Sequence, residues 1–455
     1  MKFNYLIILL ILFQFGIVNA QRGYNRDIRI PFDPGKRFYS DIIILPDSSS
    51  DSLNINIFYK CTFRTLTFFL KSENGTEKYF SVPNFEVELK DSEGIIRKRI
   101  YREDTITVNS YEMSVSEEEY IYGLVTAKMK PGKYSVNATL RCANSQLVKN
   151  KIFPSMEFKN FTSESVISEP ILTNSLETDV TTSVNPYLFG LGIPFSSQGA
   201  SILIPVSYKN EFEKFKCNFK YTKSENANFD WGDIKQISGS IVPIPNSTLR
   251  IDFQNQLINP SLSLININSD TWSYKQGLLN IHLPSDNIFP GSYELSVIRE
   301  NTKDTLKKNI FVIWEDMPVV LFDPEYAASS MYYLLTDSEY NELTDGNSKE
   351  ISRKIINYWK EKDPTKSTAY NEAMAEYFKR AAYAMQNFKS KNSRDGIKTD
   401  KGKIYILYGP PTTTNKELGE KQNSEVWKYD KIKKSFIFKT DNDGNYILTN
   451  VSDIN

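Results

Sequence analysis

The sequence predicts a multidomain chain. Two β-sandwiches stand in tandem over residues 21–160 and 161–318, and an α+β domain follows over 319–455. Three observations carry this reading. Two segments, Pro131-Gly132-Lys133-Tyr134 and Pro290-Gly291-Ser292-Tyr293, each turn the chain into an alternating strand, and they lie about one sandwich apart. No long helical period appears before Pro324, whereas apolar residues recur at three- and four-residue spacing after it. The length of 455 residues leaves room for three domains, at roughly 150 residues each.

The N-terminus reads as a secretory leader over residues 1–20. Lys2 supplies a positive start, Tyr5 to Phe13 is an unbroken apolar run, and Val18-Asn19-Ala20 is a small-residue cleavage site. Gln14 interrupts the run, which ends short of the ~20 residues of a membrane-spanning helix. The mature chain is expected to begin at Gln21, to have no membrane span, and to reside in the periplasm or at the cell surface. Export permits disulfides. Cys61 and Cys142 lie in two strand-like runs, so either a bridge between them or three buried free thiols, Cys217 included, fits the sequence.

In the first sandwich Phe85, Val87 and Leu89 alternate with charged residues. Asp91-Ser92-Glu93-Gly94 turns the chain, and Ile95 to Tyr101 returns as a strand. The Ser/Thr/Glu-rich stretch 161–184 holds the boundary, with Ile171-Leu172 able to pair as an edge strand. In the second sandwich Leu249, Ile251 and Phe253 alternate, as do Leu279, Ile281 and Leu283.

Asp323-Pro324 then opens a short helix to Leu335. Thr336-Asp337-Ser338-Glu339 has the form of a capping box. Ser348 can cap a helix carrying Ile351, Ile355 and Trp359, which Asp363-Pro364 stops. The next helix, 369–388, buries Met374, Tyr377, Ala381, Ala384 and Phe388 as one stripe. Strands are expected at 403–408, 425–429, 435–439 and 446–449, with a turn at Asp443-Gly444.

The Pro-Gly-x-Tyr strands resemble those near the end of immunoglobulin-like and macroglobulin-like sandwiches. From Pro324 onward the chain resembles the GWxTD domain, a bacterial family named after a pentapeptide that here reads Gly396-Ile397-Lys398-Thr399-Asp400. The matching residues, in order, include Trp359, Asp363, Pro364, Thr365, Asn371, Glu372, Tyr377, Arg380, Gly402, Gly409 and Pro411. Lys362 and Lys401 replace arginines and Ile397 replaces the eponymous Trp, which favours a packing role at that position. The resemblance implies an α+β fold and preceding sandwiches, but no reaction. It marks Tyr377, Arg380, Asp395, Gly396, Thr399, Asp400 and Gly402 as candidate binding residues.

Composition narrows the chemistry. Lys plus Arg and Asp plus Glu number 55 each, so the chain lacks the excess positive charge that nucleic-acid binding rests on. The one histidine, His282, leaves no His-dependent triad and no His-based zinc site. No phosphate-binding glycine loop is present, and no metal or cofactor is expected. Carboxylates do gather in sequence at Glu361, Asp363, Glu372, Asp395 and Asp400, and two at the right separation can hydrolyse a glycoside. Asp and Gly in these dipeptides equally suit turns. The leading expectation is a non-enzymatic interaction or scaffold protein of the cell envelope, binding a protein or glycan. The alternative is a carboxylate-dependent hydrolase of envelope polysaccharide or peptidoglycan, with Asp400 and Glu372 as the first suspects for catalysis. The two readings separate on whether those carboxylates converge on a cleft or are occupied by backbone N–H groups.

Overall fold

The computed structural model describes residues 37–454, apart from 48–51, 74–75, 144, 178–182, 211–212, 223–228, 269–271, 301, 303, 392 and 420–421. The leader and the expected start at Gln21 lie outside the described residues. The chain is mostly β-sheet, 47% strand and 20% helix. It divides into two compact units. The larger holds the described residues up to Met317 together with Ser352–Tyr377, and the smaller holds Pro318–Ile351 and the chain from Phe378 onward.

The larger unit begins with strands β1 (Phe38–Pro46), β2 (Leu53–Thr62), β3 (Pro83–Asp91), β4 (Ile96–Glu103), β5 (Tyr120–Met129), β6 (Gly132–Cys142) and β7 (Val148–Phe158). They form two sheets, ordered β1-β2-β5 and β7-β6-β3-β4. Alternation does the work expected of it. Ile55, Ile57 and Tyr59 of β2 share one core with Phe85, Val87 and Leu89 of β3 and with Val136, Ala138 and Leu140 of β6.

Strands β8 (Ile171–Asn174), β9 (Ala200–Tyr208), β10 (Phe215–Thr222), β11 (Ile237–Ile241), β12 (Lys275–Leu283), β13 (Gly291–Arg299) and β14 (Thr305–Ile313) follow. They repeat the pattern in the orders β8-β9-β12 and β14-β13-β10-β11, with one further short strand on each sheet, Ile244–Pro245 beside β12 and Gly192–Pro194 beside β14. The strands headed by Pro-Gly-x-Tyr, β6 and β13, therefore hold the same place in their sheets. Each starts at a glycine with positive φ, +155° at Gly132 and +147° at Gly291, a conformation that residues with a Cβ rarely adopt. Tyr293 stacks on Phe219 and Tyr134 on Phe158.

The two pairs of sheets also share an apolar cluster. Ile43 and Leu45 of β1, Phe58 of β2 and Tyr122 of β5 pack with Ile171, Leu203 and Leu278 of β8, β9 and β12. Strands β2 and β9 are consequently buried on both faces, and β9 reads as a nearly continuous apolar run. Cys61 and Cys142 lie in the core between the first two sheets. All three cysteines are free thiols and buried.

In the C-terminal part the helices are α1 (Pro324–Ser330), α2 (Asp337–Thr344), α3 (Ser348–Glu361), α4 (Glu372–Asn387) and α5 (Asp400–Tyr408). The capping box forms: Thr336 accepts from the Glu339 backbone, and the Glu339 carboxylate accepts from the Thr336 N–H. The cap of α3 is Asn347 rather than Ser348. Its Oδ1 accepts from the Lys349 and Glu350 N–H groups at 3.1 Å, and Ser348 instead donates to Glu325. Strands β15 (Thr413–Glu417), β16 (Ser424–Tyr429), β17 (Lys434–Thr440) and β18 (Tyr446–Asp453) form an antiparallel meander.

One element reverses its expected type. Residues 403–408, read as a strand, belong to helix α5. Lys403-Ile404-Tyr405-Ile406 has strand-like composition, but Thr399 and Gly409 set the ends of a helix around it. The Thr399 hydroxyl accepts from the Gly402 N–H at 3.0 Å, and Gly409, at φ +80°, donates to the Tyr405 carbonyl. Packing of Ile404 against Trp427, Tyr429, Phe436 and Phe438 then overrides local propensity.

Candidate functional site

The candidate site is the loop that carries Asp395 to Gly402, in the smaller unit. Two successive caps build it. Asp395 precedes a single 3-10 turn, Gly396–Lys398, and its Oδ1 accepts from the Ile397 N–H at 3.1 Å and from the Tyr326 hydroxyl at 2.8 Å. Thr399 caps α5 and also donates to the Gly396 carbonyl at 2.8 Å. Each side chain satisfies donors that a helix start leaves open.

The glycines explain the spacing. A Cβ on Gly396 would stand 1.9 Å from the Ala384 carbonyl oxygen on α4. A Cβ on Gly402 would stand 1.9 Å from the Gly396 carbonyl oxygen. The backbones of α4, the turn and the first turn of α5 are thus stacked in direct contact, which only glycine allows at both positions. Ile397 is buried, as an apolar plug, and its carbonyl accepts from the Tyr333 hydroxyl at 3.0 Å. Burial pushes the Tyr333 phenol up, with the charges of Asp395 and Asp400 adding to the shift.

Asp400 reaches from α5 to the sheet, where its Oδ2 accepts from the Leu448 N–H of β18 at 2.7 Å. Its partner is thus a backbone N–H group, supplied by a strand far along the chain. Arg380 lies at the other end of α5. Its Nη1 donates to the Leu407 carbonyl at 3.4 Å, and its guanidinium packs beside Gly409. A cation there suits the negative end of the helix. The Tyr429 hydroxyl donates to the Gly409 carbonyl at 2.9 Å, which ties the same end to β16.

A buried pair flanks the loop. Lys401 Nζ lies 2.6 Å from Glu425 Oε2, and the Trp427 indole donates to Glu425 Oε1 at 2.6 Å. The ammonium also sits 3.4 Å from the Tyr446 ring centroid. Burial lowers the Lys401 pKa against the pull of Glu425. At Glu425 burial acts upward, and the bonds from Lys401 and Trp427 outweigh it to hold the carboxyl below its usual range.

Tyr377 and Glu372 belong to the larger unit. Tyr377 is buried with its ring 5.2 Å from that of Trp359. Asn371 caps α4 by accepting from the Met374 N–H at 2.8 Å, and it donates to the Trp359 carbonyl at 2.7 Å. Asp363 accepts from the Thr365 N–H. Glu372 Oε2 is buried and has no hydrogen-bond partner among the described residues.

Of the candidate residues, Asp395, Gly396, Thr399, Asp400 and Gly402 therefore come together at the start of α5, while Arg380 lies at its far end; Thr399 and Asp400 engage backbone groups, and Asp395 engages a backbone N–H and the Tyr326 hydroxyl. Sequence reasoning missed Tyr326, Tyr333 and the Lys401–Glu425 pair. The signal for the last was present: Lys401 stands where an arginine is usual. Among the described residues no cluster of His, Cys, Asp and Glu could hold a metal ion, and no helix is long and apolar enough to cross a membrane.

The family model described as the GWxTD domain matches residues 294–453. The match starts within β13 and so takes in the last hairpin of the preceding sheets. No curated protein matches the chain.

Proposed function

As this is a GWxTD domain-containing protein, we propose that it is exported to the cell envelope, periplasmic or surface-exposed, and that it acts there as a non-enzymatic interaction or scaffold protein. Residues 21–160 and 161–318 are read as immunoglobulin-like or macroglobulin-like sandwiches that act as spacers or docking surfaces, and the C-terminal domain, 319–455, as the part that binds a protein or glycan. The repeated strand order of the two pairs of sheets supports the first part. The leader-like residues 1–20 support export.

The observation that carries the non-enzymatic reading is the use made of the motif's carboxylates. Asp395 is engaged by Ile397 N–H and Tyr326, and Asp400 by Leu448 N–H. A general acid or nucleophile must face its substrate. These two face the protein's own backbone, so the motif shapes the domain that a partner would grip.

The test is to incubate the mature chain with purified peptidoglycan and with cross-linked envelope extract. Stoichiometric binding without release of soluble fragments supports the proposal. Multiple-turnover release of reducing ends that is lost in Asp400→Asn, with unchanged melting temperature, overturns it in favour of the hydrolase.

A further inference from the structure

Lys60 lies near the C-terminal end of β2, yet only 6% of its surface is exposed. Its Nζ stands 3.2 Å from the ring centroid of Phe189 and 3.9 Å from that of Tyr120, with Tyr122 at 5.9 Å. Phe189 belongs to the segment 188–191, which leads into the short strand Gly192–Pro194 on the edge of β14. That segment is fastened to β1. Asp41 accepts from the Gly190 N–H at 2.9 Å and the Leu191 N–H at 3.1 Å. Both donors have left-handed backbone, φ +65° and +66°, and Leu191 bears the strain of that conformation.

Glu315 Oε1 accepts from Arg37 at 3.2 Å, from the Tyr39 hydroxyl at 3.2 Å and from the Tyr120 hydroxyl. The groups acting on Lys60 are Arg37 just before β1, Asp41 of β1 and Glu315 beyond β14. Lys151 of β7 acts on Asp41. Tyr39, Tyr120 and Tyr122 are all pushed up by burial, so none of them ionises near neutrality. Segment 188–191 brings no ionisable side chain of its own.

We propose that segment 188–191 is a proton-operated latch: it closes over the uncharged amine of Lys60, and it is released when Lys60 takes up a proton. The aromatic cage attracts a cation, but it cannot replace the water that an ammonium loses. Burial wins, and it lowers Lys60 from 10.5 to about 7 although Glu315 and Asp41 pull the other way. A proton on Nζ therefore favours the state in which Phe189 has moved and water reaches the amine. Acidification through neutrality would loosen one contact between the two pairs of sheets.

Hydrogen exchange of the full mature chain at pH 6 and pH 8.5, corrected for intrinsic rates, tests this. Residues 187–194 should be protected about thirtyfold less at pH 6, as proton linkage requires. Lys60→Met should keep the segment closed at both values, and Lys60→Arg should leave it open at both. Equal protection of the wild type at the two pH values overturns the latch. So does a pH dependence that survives in Lys60→Met, which would assign the effect to Asp41. Should neither variant fold, an NMR titration of the Lys60 amine decides: a midpoint near 10.5 overturns the proposal, and one near 7 with concurrent shifts at Phe189 supports it.

Discussion

Replacing Lys60 by methionine is expected to stabilise the larger unit, and by more in mild acid than in base. The amine is shifted from 10.5 to about 7 by burial. The unfolded chain therefore binds the extra proton between those values, and folding becomes more favourable as pH rises through that window. Below about 7 the penalty stands in full. At about 1.4 kcal/mol per pKa unit, it amounts to roughly 4–5 kcal/mol at pH 6 and roughly 2 kcal/mol at pH 9. Release of segment 188–191 lets water reach the ammonium and relieves about 1 kcal/mol of this at low pH. Methionine keeps the length and fills the same slot with no charge to desolvate. Lys60→Met should then gain about 3 kcal/mol at pH 6, falling toward 2 kcal/mol at pH 9. Urea unfolding followed by the fluorescence of Trp231 and Trp314 reads this at both pH values. A variant less stable than the wild type at pH 6, or a gain that grows with pH, would refute the reasoning.

Other outcomes follow from the motif loop. Gly396→Ala drives a methyl into the Ala384 carbonyl, and should cost more than about 3 kcal/mol or prevent folding, as read by circular dichroism and melting. Lys401→Met strands the buried Glu425 carboxylate and should cost about 3–5 kcal/mol, whereas Lys401→Met with Glu425→Leu should recover most of it. Because Glu425 is held below its usual range, its contribution is present above the ordinary carboxylate pKa and is lost as pH falls through the folded value, so Glu425→Gln should flatten the acid limb of stability against pH. Tyr326→Phe removes one donor to Asp395, and should lower stability by about 1 kcal/mol in a thermal melt.

Much of the fold was legible because its signals are local. Thr336 and Glu339 are three residues apart and capped a helix as read. The paired Pro-Gly-x-Tyr strands fell at matching places because the turn glycine and the following alternation are both local requirements. Errors arose where distant contacts decide. The Lys403–Tyr408 stretch looks like a strand and is a helix, because its caps and the aromatic face of β16 and β17 outvote its own preference. The edge strand Thr413–Glu417 is exposed throughout and carries no alternation to betray it. In the site, the packing role of Ile397 was legible from its standing in place of the eponymous Trp. The partner of Asp400 was not, since Leu448 lies 48 residues further on and a backbone N–H leaves no trace in sequence.

The central claim is that Asp400 holds the domain together rather than performing chemistry. Thermal melts of Asp400→Ala in the mature chain test it most directly. Loss of the bond to the Leu448 N–H should lower stability by about 1–3 kcal/mol, with a visible fall in melting temperature. An unchanged melting temperature, together with loss of an activity on envelope polymer, would contradict the account.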